Sequence, residues 1–180
     1  MNTELCYDLI SVDYDEKYVE GDNNPYMHDE RLAARHYRQL NKIGRIVSLG
    51  CGTGQDVQIL GYPNPNYFIG YDISEGMLQK AVQKYPDYHF TKQDCSVNID
   101  VKCDILVSIF GTPNYIGAEK LLEHYENMEA SHAFFIFYAE HYNDGVIENY
   151  HKYTRDELRN YFDREPVPLE KGSNYYVVSW

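Results

Sequence analysis

Val47-Ser48-Leu49-Gly50-Cys51-Gly52-Thr53-Gly54 decides how this chain is read. A short apolar run, Ile46, Val47 and Leu49, enters a loop with glycine at positions 50, 52 and 54. The run suits a buried parallel strand. The glycines suit a tight turn opening a helix, where backbone can approach a ligand because side chains are absent. Strand, glycine-rich turn and helix N-terminus in that order frame a nucleotide-cofactor site. The spacing narrows the choice. The dinucleotide fingerprint G-x-G-x-x-G would put its third glycine where Gln55 stands. A phosphate-binding P-loop needs Lys and then Ser or Thr after its last glycine. This chain has Gln55 and Asp56 there, and a carboxylate repels phosphate.

L-G-C-G-T-G after a short apolar strand resembles motif I of the class I S-adenosylmethionine (SAM)-dependent methyltransferases. SAM has no phosphate, so the missing phosphate-binding features agree. Three more segments match in order. Tyr67 to Asp72 is a second apolar run ending in a carboxylate, and Asp72 lies 22 residues after Gly50. That is about the distance at which such folds place the acid that accepts ribose hydroxyls. Ser74 then caps a helix beginning at Glu75. His89-Phe90 leads to Gln93-Asp94-Cys95, similar to motif II, whose acid contacts the adenine amino group. Asp104 to Phe110 resembles the fourth strand of the family. The likeness spans about residues 46 to 116 and departs at one position. Ser48 stands where the family usually has an acid that helps hold the methionine part of SAM.

The resemblance implies a SAM-dependent methyltransferase that yields S-adenosylhomocysteine (SAH). The implied cofactor set is Ser48, Gly50, Cys51, Gly52, Gly54, Asp72, Ile73, Met77, Asp94, Cys95 and Phe110. In the N-terminal part, Cys6-Tyr7-Asp8 and Asp13-Tyr14-Asp15 resemble a segment whose tyrosine covers the SAM sulfonium, and Tyr14 is the candidate. Electron-rich ring faces favour cations. Carboxyl ends of strands face the ligand crevice in this fold. Asn114, Tyr115 and Tyr138 are therefore expected to wall an acceptor pocket. Tyr115 and His141 are the candidate catalytic residues, since a histidine there can take a proton near neutral pH.

At 180 residues the chain fits one domain, with residues 1–43 as an N-terminal lid and helical segment and 44–180 as the core. The segment 1–28 is acidic, tyrosine-rich and without clear periodicity. Periodicity predicts a helix over 29–42 with Leu32, Ala33, Tyr37 and Leu40 inward. Beyond it, strands at 45–49, 67–71, 88–91, 103–109 and 132–138 alternate with helices at 54–60, 74–84 and 117–129. A capped helix follows at 154–162, then a last strand over 175–180. The expected fold is α/β. It is a single three-layer, doubly wound domain with a mostly parallel sheet of six to seven strands and an antiparallel edge strand at the C-terminus. Pro166 and Pro168 make the sixth-strand position short or empty. The loop through the 140s reads as too brief for an added recognition domain.

A net charge of −12 disfavours nucleic acid as a partner, because that binding rests on neutralising phosphates. Arg31, Arg35, Arg38 and Lys42 recur on one helix face, which reads as a solvated stripe or an anion-steering surface. The four cysteines and seven histidines show no metal-ligand spacing, so no metal is expected. With no C-x-x-C pair, no apolar leader and no long apolar run, the reading is a reduced cytoplasmic protein without a membrane span. The leading expectation is a methyltransferase acting on a small molecule by in-line displacement; the alternatives are one acting on a macromolecule and a non-catalytic SAM-binding module. Oligomeric state is not legible.

Overall fold

The computed structural model describes residues 3–18, 26–142 and 150–180. Its centre is a seven-stranded sheet in the order β3-β2-β1-β4-β5-β7-β6. The strands are β1 (Ile46–Leu49), β2 (Phe68–Asp72), β3 (His89–Lys92), β4 (Ile105–Ile109), β5 (His132–Tyr138), β6 (Val167–Pro168) and β7 (Tyr175–Ser179). The first five run parallel, and β7 is antiparallel to β5. β6 lies outside β7, so the last strand in sequence is one place in from the edge. Its two residues fit a Pro-flanked segment that can make few ladder bonds.

Strand order reverses at β1, which pairs with β2 on one side and β4 on the other. A crevice therefore opens at the carboxyl ends of these strands. Their burial explains their composition. Every residue of β1 and β4 is buried, as in central parallel strands covered on both faces, and the two buried serines, Ser48 and Ser108, are hydrogen-bonded.

The helices are α1 (Thr3–Ile10), α2 (Tyr14–Tyr18), α3 (Met27–Leu40), α4 (Gln55–Ile59), α5 (Glu75–Lys84), α6 (Thr112–Ile116), α7 (Ala118–Asn127) and α8 (Arg155–Phe162). On one sheet face Val47, Leu49, Leu106, Phe135 and Phe137 pack with Leu121 of α7 and with Leu158 and Phe162 of α8. On the other face Ile46, Ile105, Val107, Phe134 and Ile136 pack with Ala33 and Tyr37 of α3 and with Val57 and Ile59 of α4. Each fully buried large side chain contributes about 1.5–3 kcal/mol. Leu32 and Leu40 are only partly buried beside this second cluster.

Two helical regions depart from the sequence reading. The N-terminal part, expected to be irregular, forms α1, a 3-10 turn at Ser11–Asp13 and α2. These pieces are too short for periodicity to show, and tertiary contacts hold them. The segment after β4 forms α6, with Pro113 in its first turn, where a missing N–H costs nothing. Both expected caps are present. Ser74 Oγ accepts from Met77 N at 3.2 Å, and Thr154 and Glu157 close a capping box. The loop of the 140s lies largely outside the described residues. No helix among the described residues is long and apolar enough to cross a membrane.

Candidate active site

The carboxyl ends of β1, β2 and β4 surround a cavity of about 500 Å³. That is within the range that holds small ligands. The glycine loop forms its floor. Gly50, Gly52 and Gly54 have φ of 76°, 52° and 82°, where other residues are strained. Gly50 also needs its hydrogen for space, since a Cβ there would lie 1.8 Å from Thr112 Oγ1. Gly52 faces open space, and its N–H donates to Asp72 Oδ2 at 2.8 Å.

Asp72 ends β2. Its second oxygen accepts from Ser74 N at 2.9 Å, which sets the plane of the carboxylate. Burial raises its pKa, opposed by these backbone bonds. Its side chain lines the cavity together with Ile73, Met77, Asp94 and Cys95. Asp94 accepts from Ser96 N at 2.8 Å. Burial pushes the Cys95 thiol up to about 12 and raises Cys51 as well, so neither is a ready nucleophile.

Two carboxylates of the N-terminal segment tie it across the cavity. Asp8 Oδ1 accepts from Ser74 Oγ at 2.6 Å and Gly76 N at 3.1 Å. Asp15 Oδ1 accepts from Thr53 Oγ1 at 2.6 Å and pairs with Lys84 Nζ at 3.0 Å. Tyr7, Tyr14 and Tyr18 are thereby brought to the cavity wall. The aromatic wall continues from Tyr7, whose ring lies 6.1 Å from that of Tyr115. Phe110, Tyr115, Tyr138, Tyr142 and Tyr175 line it, with Tyr138 stacked on Tyr142 at 4.0 Å and 9°.

The described residues thus place an acid, a glycine floor and an aromatic wall at one switch point of a seven-stranded sheet. The same architecture recurs in solved structures. The DhpI-SAH complex superposes with a TM-score of 0.73 at 14% identity, covering 97% of this chain and 92% of that one. Magnesium protoporphyrin IX methyltransferase (ChlM) from Synechocystis PCC 6803 with bound SAH gives 0.69 at 13%, covering 99% and 98%. The fold is that of the class I SAM-dependent methyltransferases. In sequence, this methyltransferase-fold chain is 32% identical over 133 residues to "Putative methyltransferase 235L" of Invertebrate iridescent virus 6. The match takes in 73% of this chain and 47% of the viral protein, so the chain spans about half the length of that relative. No protein-family model matches the chain.

Within the methyltransferase fold, the structure brings most of the expected site residues to the cavity. Tyr14, Gly50, Cys51, Gly52, Asp72, Ile73, Met77, Asp94, Cys95, Phe110, Tyr115 and Tyr138 all line it. Four do not. Ser48 is fully buried on the sheet face covered by α4, and its hydroxyl donates to the Asp56 carboxylate. Gly54 packs under Tyr85, where a Cβ would come within 2.9 Å of the ring. Asn114 is buried and structural, with its side chain held by Tyr138 N at 2.8 Å and by the carbonyls of Tyr138 and His151. His141 is exposed outside the cavity, its ring 3.0 Å from the Ser173 carbonyl. The Arg31, Arg35, Arg38 and Lys42 side chains are all exposed, and none lines the cavity.

The reading by motif missed Tyr7, Glu30, Gln55 and Asp56, which also line the cavity. Glu30 comes from α3, so only the tertiary fold brings it there. Asp56 sits in the first turn of α4, and burial pushes its pKa up to about 7.

Proposed function

We propose that this protein binds SAM in the cavity and transfers its methyl group to a small molecule. The observation that carries the reading is Asp72. Its carboxylate is oriented by Gly52 N and Ser74 N at the end of β2, beside a glycine floor that leaves open space. A buried acid held in this way suits a vicinal ribose diol, which offers two hydroxyl donors. Asp94 accepts from the adenine amino group, and Ile73 and Met77 flank the base.

Asp56 supplies the carboxylate that motif I lacks. Ser48 points away from the cavity and donates to Asp56, whereas Asp56 itself lines the cavity. The acid for the methionine ammonium has thus moved from the strand to the helix. Tyr14 and Tyr7 cover the site, and burial holds both phenols protonated. Bound SAM supplies a methyl group on a positively charged sulfur. The protein's part is to align the acceptor and exclude water, and alignment alone can contribute roughly 7–11 kcal/mol. The segment over the cavity supports a small acceptor rather than a macromolecular one.

Isothermal calorimetry with SAH tests the reading. Binding by the wild-type chain, weakened at least tenfold by Asp72→Ala, is the expected result. Absence of SAH binding, or an unchanged affinity in the variant, overturns it.

A further inference from the structure

Among the described residues, those lining the cavity include no Lys, Arg or His. They include the carboxylates of Glu30, Asp56, Asp72 and Asp94 and a wall of tyrosines. Three of these carboxylates have roles toward SAM. Glu30 has none, and its surroundings are specific. Tyr26 precedes it by one helical turn, with Glu30 N donating to Tyr26 O at 2.9 Å. Tyr26 leans on Tyr18 at 5.8 Å between ring centroids, and Tyr18 on Tyr14 at 4.9 Å. Gln55 donates its amide hydrogen to Glu30. That leaves Gln55 Oε1, also buried, with no donor among the described residues. This corner of the cavity holds a carboxylate, an amide oxygen that lacks a donor, and several π faces. All three attract a cation that carries N–H groups.

Resting on the methyltransferase reading, we propose that the methyl acceptor is an amine, bound as its ammonium ion by Glu30, Gln55 and the Tyr14–Tyr18–Tyr26 rings. An ammonium nitrogen has no lone pair and cannot react until it loses a proton. That proton passes from nitrogen to a Glu30 carboxylate oxygen. The freed lone pair then forms the new N–C bond as the methyl C–S bond breaks, with its electron pair kept by sulfur. The product leaves as the methylated ammonium ion, and Glu30 returns its proton to solvent. Burial sets Glu30 up for this exchange by raising its pKa to about 7, against the opposing effects of Gln55 on α4 and Lys84 on α5. Asp29 on the same helix adds to the rise, and the Tyr14 and Tyr85 phenols also face the group. An anionic acceptor would instead meet the Glu30 carboxylate here.

The test is calorimetric titration of the SAH-loaded protein with butylamine, benzylamine and phenethylamine. Each is paired with the alcohol and the carboxylate of the same skeleton. At least one amine is expected to bind ten times more tightly than its alcohol, with the carboxylates weaker still. The amines stay charged from pH 6 to 8, so their binding should strengthen about tenfold over that range as Glu30 ionises. Glu30→Gln should abolish both the preference and the pH dependence while SAH affinity stays within twofold. Equal binding of amines and alcohols, or no amine binding at all, overturns the proposal without recourse to any variant. So does loss of SAH binding in Glu30→Gln, which would make Glu30 a cofactor ligand. The two readings fail separately: a wild-type chain that does not bind SAH overturns the methyltransferase reading, and intact SAH binding without amine preference overturns this one.

Discussion

The Ser48 hydroxyl donates to the carboxylate of Asp56, joining the strand that enters the glycine loop to the helix that leaves it. Both residues are buried, but only Asp56 lines the cavity. Ser48 therefore acts as a support for an acid rather than as a replacement for one. Asp56→Asn is expected to weaken SAH binding about tenfold, or roughly 1.4 kcal/mol. Adding Ser48→Asp should recover part of that loss by returning the acid to the strand. Calorimetry on the two variants measures this coupling. An Asp56→Asn affinity within twofold of wild type would show that Asp56 holds no part of the cofactor.

Asp72 faces a stricter requirement, because two backbone N–H groups already depend on it. Asp72→Asn keeps the shape of the side chain but removes its charge and one acceptor. Hydrogen bonds to a charged group contribute about 1.5–3 kcal/mol, so a loss of roughly 10- to 100-fold in SAH affinity is expected. Hydrogen exchange at Gly52 and Ser74 should increase in parallel, since their amide partner is weakened.

Asp56 also predicts a pH dependence of stability. Its folded pKa is near 7, raised by burial from an ordinary value of 3.8. The folded state therefore keeps a proton that the unfolded state has lost between those values. Stability contributed by this group is complete below about pH 4, falls as pH rises to 7 and is level above. Asp56→Asn removes that slope. Relative to wild type, the variant should gain on the order of 2–4 kcal/mol from pH 4 to pH 7 in urea unfolding. Parallel curves for the two proteins would show that Asp56 is ionised in the folded state.

Asn114 and His141 separate structure from function. Asn114 bonds the backbone at both Tyr138 and His151, so Asn114→Ala strands buried groups and should cost about 1–3 kcal/mol of stability. His141 is exposed and bonded to a loop carbonyl. His141→Ala should leave both the melting temperature and SAH affinity unchanged. A drop in SAH affinity for His141→Ala would bring the end of β5 back into the site.

Strands and the glycine loop were legible in the sequence because their signals are local. Val47 to Leu49 and Ile105 to Ile109 are apolar runs of strand length, and Gly50 and Gly52 mark the turn by their spacing. Asp72 was legible because β2 ends at a fixed distance from that turn. The N-terminal helices were not, since Asp8 and Asp15 hold them through Ser74, Thr53 and Lys84, more than thirty positions away. Ser48, Asn114 and His141 were misplaced for a related reason. Each occupies a position next to the site in sequence, but the direction of its side chain depends on its neighbours.

By itself, the sequence settled the order of the parallel strands, the glycine turn after β1 and the acid at the end of β2. Periodicity and glycine spacing encode those features within a few residues. Only the tertiary structure decided that Asp56, and not Ser48, lines the cavity, and that Glu30 lines it as well. Side-chain direction on β1 sends Ser48 under α4 and leaves Asp56 at the cavity. The packing of α3 against α4 sets Glu30 beside Gln55 and near Tyr14, Tyr26 and Tyr85.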